Sequence, residues 1–196
     1  MAKERRSEKL GSRLRADEGA QLIELAVTLP LLVVMVVGVF DFGGAYHLKQ
    51  NLSGAAREGA RYASSLPTAG LGRVSPPPDS VTAIRDVVDA YLTANHINDC
   101  GLSTKSPAGG VSFEWIYTAT GGGCPTGGLI LDIERGYTFT ADIGASQAVR
   151  VISTRVTITY SYKWQFGNVI DLLAPGANYA KGVSQIKVLA VVPNMD

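Results

Sequence analysis

The stretch that decides the fold runs Ala20-Gln-Leu-Ile-Glu24-Leu-Ala-Val-Thr-Leu-Pro30-Leu-Leu-Val-Val-Met35-Val-Val-Gly-Val-Phe40. As a helix it spans ~30 Å at 1.5 Å per residue, about one bilayer core. It is apolar on every face and not along one stripe, unlike the core helix of a soluble domain. Glu24 is the only charged residue between Glu18 and Asp41. A carboxylate at mid-bilayer costs roughly 2.5–3.5 kcal/mol on insertion scales, so an ionisable residue in such a run asks for a function.

Upstream, residues 1–19 hold six Lys/Arg and four acids, while the rest of the chain is close to neutral. The basic stretch precedes the span. By the positive-inside rule the N-terminus stays in the cytoplasm and everything after Asp41 is exported. A removable secretory signal competes with this reading, but its apolar region is usually ~7–15 residues, and Gly43 with Ala45 makes only a weak small-x-small cleavage site. Residues 1–19 read as an unstructured or loosely helical polar leader. A long helix is expected from about Ala20 to Leu66, spanning the membrane over about 20–42. Pro30 removes one backbone hydrogen bond and invites a kink.

Past the membrane the helix turns amphipathic, with Leu48, Leu52, Ala55, Ala56, Gly59, Ala60, Ala63 and Leu66 recurring at three- and four-residue steps. Small residues dominate that face (Gly54, Ala55, Ala56, Gly59, Ala60 and Ala63), so another backbone can approach closely. Either the protein's own exported domain or a neighbouring subunit fits there. The opposite face carries Lys49, Gln50, Arg57, Glu58 and Arg61.

Residues 67–78 read as a linker, since Pro67, Gly70, Gly72 and Pro76-Pro77-Pro78 forbid regular structure. Asp79 or Ser80 is expected to cap a second helix ending near Asn95, with an apolar stripe of Val81, Ile84, Val87, Val88, Tyr91 and Leu92. Beyond it the pattern is antiparallel sheet: 111–117, then 129–134 and 137–143 paired across Arg135-Gly136, then 149–164, then 183–192. Residues 169–173 suggest a helical turn. The exported domain thus occupies 79–196, and the fold class is α+β: a long N-terminal transmembrane helix continuing into a small domain with an antiparallel β-sheet and a second helix.

Cys100 and Cys124 both fall on the exported side. An even count in an oxidising compartment favours one disulfide over two separate buried thiols. Such a loop closure stabilises by roughly 3 kcal/mol in the chain-entropy model.

A net charge of +1 gives no electrostatic case for nucleic acid. Asp41-Phe42-Gly43 lacks every companion of a kinase metal motif, and Gly121-Gly122-Gly123 lacks the Lys-Ser/Thr of a phosphate loop. His47 and His96 have no ligand-like neighbours at metal spacing. Asp86 and Asp89 share a helix face that reads as solvated. The expectation is a non-enzyme without metal or cofactor.

Gly19, the basic leader before it, the apolar run after it and Glu24 at the run's fifth position together resemble a class III signal, the type cut by prepilin peptidases on the cytoplasmic side. The resemblance implies cleavage after Gly19, a new N-terminus at Ala20 and retention of the helix. Glu24 would then pair with the Ala20 amine of a neighbouring subunit and fix axial register; the alternative is a carboxylate that merely snorkels to the headgroups. A more particular likeness lies in Glu18-Gly-Ala-Gln-Leu-Ile-Glu24, Val39-Phe-Asp-Phe-Gly-Gly44 and Ala55-Ala-Arg-Glu-Gly-Ala-Arg-Tyr-Ala63. These resemble the TadE-like family, the pseudopilins of Tad/Flp type IVb pili. Residues 156–160 and the final apolar strand are loosely similar to that family's C-terminal half, while 67–148 resemble nothing. What the likeness implies is a pseudopilin or minor pilin of the inner membrane, whose partners are a prepilin peptidase, the inner-membrane assembly platform, other pseudopilins, the major pilin and membrane lipid. A permanently anchored binding or adhesin-like protein that never assembles is the competing reading.

Overall fold

The computed structural model describes the backbone of residues 2–73, 75–108, 113–142, 148–165 and 183–195, with side chains from residue 21 onward except those of Asp142 and Val183. Two compact units emerge: Met1–Gly43 with Gln165–Lys181, and Gly44–Trp164 with Gly182–Asp196.

Helix α1 covers Ala2–Ser64 and passes through Pro30 without interruption. It starts well upstream of the expected Ala20, because the leader contains no helix breaker other than Gly11 before Gly19. It ends two residues short of Leu66, where Pro67 follows. Helix α2 covers Asp79–Ala94. Its N-cap position is Pro78, not Asp79 or Ser80: the extended Pro78 offers its carbonyl to Val81 N at 2.9 Å and Thr82 N at 3.1 Å, and no side chain caps. The helix stops in a Schellman arrangement. His96 adopts φ 57°, its N–H donates to the Thr93 carbonyl, and Ile97 N–H reaches back to Leu92 at 2.9 Å. Ile97 packs on the core beside Leu92, the apolar contact that accompanies this stop.

Four strands follow: β1 Glu114–Ala119, β2 Leu129–Asp142, β3 Ala148–Lys163 and β4 Val183–Pro193. They form an antiparallel sheet in the order β1-β2-β3-β4. The expected hairpin across Arg135-Gly136 is absent. Those residues lie inside one strand, β2, as an irregularity between Glu134 and Tyr137. Glu134 pairs with Arg155 and Tyr137 with Ser153, so both halves of β2 run along β3. A two-residue hairpin turn asks for positive φ, and neither Arg135 nor Gly136 has it. The expected helical turn at 169–173 lies outside the described residues.

One sheet face builds the core. Trp115, Tyr117, Leu131, Ile133, Val156, Ile158, Val188 and Ala190 lie against Val81, Ile84, Val88 and Leu92 of α2 and Leu52, Ala55, Ala56, Ala60 and Ala63 of α1. Period-two alternation in the strands and the three- and four-residue spacing in both helices give this pattern directly. Cys100 and Cys124 form a disulfide that ties the segment after α2 to the β1–β2 loop. Asn98 Nδ2 donates to the Gly122 carbonyl at 2.6 Å, and Gly121 N–H donates to the Cys100 carbonyl at 3.0 Å, bracing the same junction.

Candidate functional site

The candidate site is α1 itself, read in two parts. In the first, residues 21–42, most large apolar side chains are open: Leu22 is 66% exposed, Val27 70% and Phe40 68%. Helix Gln21–Ser64 is long and apolar enough to cross a membrane. This is compatible with a single-pass membrane protein, since open apolar surface of this extent needs lipid or another chain. Three polar side chains interrupt residues 21–40: Gln21, Glu24 and Thr28. Thr28 is satisfied inside the helix, its Oγ1 donating to the Glu24 carbonyl at 2.9 Å. That leaves Glu24, exposed on α1, as the one charge of the apolar stretch. Gly19 and Ala20 lie within α1 just before it.

Asp41, at the far end of the apolar stretch, is 3% exposed, and its Oδ1 accepts the Gln165 N–H at 3.0 Å. In the sequence, Asp41 stands out only within a false kinase motif and as the charge that bounds the apolar run. A lone acid bounding a long apolar run was the available signal.

The second part, residues 44–64, belongs to the domain. A Cβ at Gly59 would sit 2.7 Å from Val88 Cγ2, and one at Gly54 would sit 2.2 Å from the Tyr91 hydroxyl. Ala55, Ala56, Ala60 and Ala63 are fully buried. The stripe of small residues is therefore used within the chain, where it lets α2 and β3 approach the helix closely. Of the two occupants considered for this stripe, the protein's own domain is the one in place. On the other face Arg61 and Glu58 form an exposed ion pair, and each holds the other's charged form: the Glu58 carboxyl is shifted down and the Arg61 guanidinium up.

The helix ends on Arg135, a residue sequence reasoning placed in a turn. Its side chain is buried against the last turn of α1. Nη2 donates to the carbonyls of Ala63 and Leu66, each at 2.9 Å, and Nη1 donates to Pro67 at 3.1 Å. A guanidinium thereby satisfies carbonyls that a helix C-terminus leaves open, at the negative end of its dipole. Asn194 Nδ2 donates to the Arg135 carbonyl, and Met195 N–H donates to Ser64 at 3.2 Å. Arg135 lies two residues after the core residue Ile133, so plain strand alternation places it on the face that meets the helix.

Two carboxyls are perturbed elsewhere in the domain. Asp132, half-buried on the sheet face opposite the core, is pushed up to about 6 by burial and then by the nearby Glu114 charge. Asp89 is also raised to about 6, by burial and by Asp99, so its expected solvated setting is corrected. Among the described residues, no group of three or more His, Cys, Asp or Glu could hold a metal ion.

No curated protein and no solved structure matches the chain. Residues 19–61, which run from the glycine before the apolar stretch to the docked part of α1, match the family model described as TadE-like protein.

Proposed function

We propose that the protein is a TadE-like pseudopilin that takes part in assembling a Tad/Flp type IVb pilus. A prepilin peptidase removes residues 1–19, leaving Ala20 as the first residue. The mature helix stays in the inner membrane with its N-terminus toward the cytoplasm and the domain outside. Its partners are the assembly platform, other pseudopilins and the major pilin, and its role is structural, not enzymatic. The observation that carries this reading is Glu24. It is the one charge on an otherwise apolar exposed helix, five residues after Gly19, inside the TadE-like segment. Cleavage at Gly19 would create an α-amino group on Ala20. Pairing it with Glu24 of a neighbouring subunit relieves the desolvation cost of both charges and fixes axial register.

The test is N-terminal sequencing of membrane-extracted protein made with its cognate peptidase. A chain beginning at Ala20 is expected. A chain that keeps Met1 would favour the permanently anchored alternative. Glu24→Gln should leave membrane insertion intact and lower piliation by about tenfold, the loss of one buried charge pair worth ~1.4 kcal/mol or more. Wild-type piliation in that variant would remove Glu24 from the register role.

A further inference from the structure

Where α1 enters the domain, the described residues gather an aromatic and basic cluster that the core does not require. Tyr46 is 63% exposed on the first turn of this part of α1, and Lys49 is exposed one turn on. Beside α1 at Gly44, β3 ends in Tyr162-Lys163, and Trp164 follows. The Tyr162 hydroxyl lies against α1, 3.0 Å from where a Cβ on Gly44 would sit. The Tyr162 and Trp164 rings meet edge to face, with centroids 5.3 Å apart. Trp164 Nε1 donates to Ser184 Oγ at 2.8 Å, so the indole is oriented by strand β4. Lys163, between the two aromatics in sequence, is exposed.

Three facts specify the partner. First, along α1 the open apolar side chains run up to Phe42, one turn before Tyr46. Second, Tyr, Trp and Lys are the residue types that settle at the headgroup level, with apolar rings in the acyl boundary and polar tips or ammonium groups in water. Third, the charged side chains of this cluster, Lys49 and Lys163, are both cationic, which suits an anionic lipid surface.

We infer that Tyr46, Lys49, Tyr162, Lys163 and Trp164 form a membrane-interface platform by which the domain rests on the outer surface of the bilayer. The platform fixes the depth of the span from the domain side, with anionic phospholipid headgroups as its partner. The inference rests on α1 crossing the membrane but not on leader cleavage or filament entry.

The chain has two tryptophans, and Trp115 is 1% exposed in the core, so Trp164 serves as a native reporter. The full chain is reconstituted into vesicles of phosphatidylcholine with phosphatidylglycerol, and membrane integration is checked by alkaline carbonate washing. Fluorescence is then read with bromine placed near the top of the acyl chains or near their ends, subtracting the Trp164→Phe variant as the Trp115 background. Shallow bromine is expected to quench the Trp164 signal about twofold more than deep bromine, as for an indole at the headgroup boundary. In pure phosphatidylcholine, Lys49→Gln/Lys163→Gln should behave as wild type, whereas in the anionic vesicles it should lose part of the shallow quenching. A washed chain that stays integrated while Trp164 is unquenched at both depths overturns the platform and leaves the span standing. A chain removed by carbonate overturns both.

Discussion

One helix carries two opposite surfaces. Between residues 21 and 42, α1 shows large side chains that are mostly exposed, with Asp41 buried at the end. Between 52 and 63 it shows mostly small residues and buries Leu52, Ala55, Ala56, Ala60 and Ala63 completely. The contrast separates two ways of stabilising a helix. In the first part most of the large apolar side chains are exposed, so lipid or other subunits must cover them, and bulk is an advantage there. The second part gains by close approach, so bulk is a liability. Two glycines state the difference in ångströms: a Cβ on Gly38 would meet nothing within 4 Å, whereas one on Gly59 would meet Val88 at 2.7 Å.

The largest effect should come from removing the group that holds the end of the docked part. Arg135→Met keeps most of the aliphatic stem and deletes the donors to Ala63, Leu66 and Pro67. Hydrogen bonds from a charged group are each worth roughly 1.5–3 kcal/mol, and buried carbonyls left without a donor cost further, so a loss on the order of 4 kcal/mol is expected. Denaturant unfolding of the domain, followed by Trp115 fluorescence, measures it. A loss below about 1 kcal/mol would mean water replaces the guanidinium and the helix end needs no anchor.

Next comes the disulfide, which braces the domain without touching either part of the helix. Its 24-residue separation predicts a loss of roughly 3 kcal/mol in the Cys100→Ser/Cys124→Ser variant. Membrane insertion of the span should be unchanged. Equal stability of the two forms would show that the hydrogen bonds at Asn98 and Gly121 suffice to hold the junction.

Gly59→Leu and Gly38→Leu form the matched pair that tests the contrast itself. At Gly59 the new side chain has to displace Val88 and Val156, and overpacking of this kind costs about 2 kcal/mol. At Gly38 the same change should leave domain stability within about 0.5 kcal/mol, as at an uncrowded surface site. Equal effects of the two would erase the distinction between the parts of α1.

The long apolar helix and the core-facing alternation of the strands were legible in the sequence because both follow from periodicity. Unbroken apolarity from Leu29 to Phe40 and alternation through 149–164 each point to one structure. The small-residue stripe was legible as a close-approach surface, but its occupant was not. The side chains that fill it, Val88 and Tyr91, lie about thirty residues away and are brought there by tertiary packing. Arg135 was misplaced for a related reason. Arg-Gly between two apolar runs looks like a hairpin turn, and only the unmet carbonyls of a helix some seventy residues earlier explain a buried arginine inside a strand. Asp132 was missed because a single acid within a strand carries no sign of its burial.

The smallest effect expected concerns pH, and it belongs to the domain rather than to the span. Asp132 is held near 6 in the folded chain, against 3.8 for an open side chain, by burial first and by the Glu114 and Glu134 charges beside it; Arg155 acts the other way. A raised carboxyl means the folded state binds the proton more readily than the unfolded one. Stability therefore falls as pH rises from about 4 to about 6, and the penalty is complete above that window. Asp132→Asn removes the charge while keeping the shape. It should raise domain stability at pH 7 by about 1 kcal/mol, after discounting for solvent screening of a half-buried group, and flatten the profile between those limits. At pH 4, where the carboxyl is already protonated in the folded chain, variant and wild type should coincide. Urea melts at pH 4 and pH 7 decide the matter. An Asn variant less stable than wild type at pH 7 would mean that attraction to Arg155 outweighs burial. The outer sheet face would then be held by charge, in contrast to the apolar packing that holds α1 on the other side.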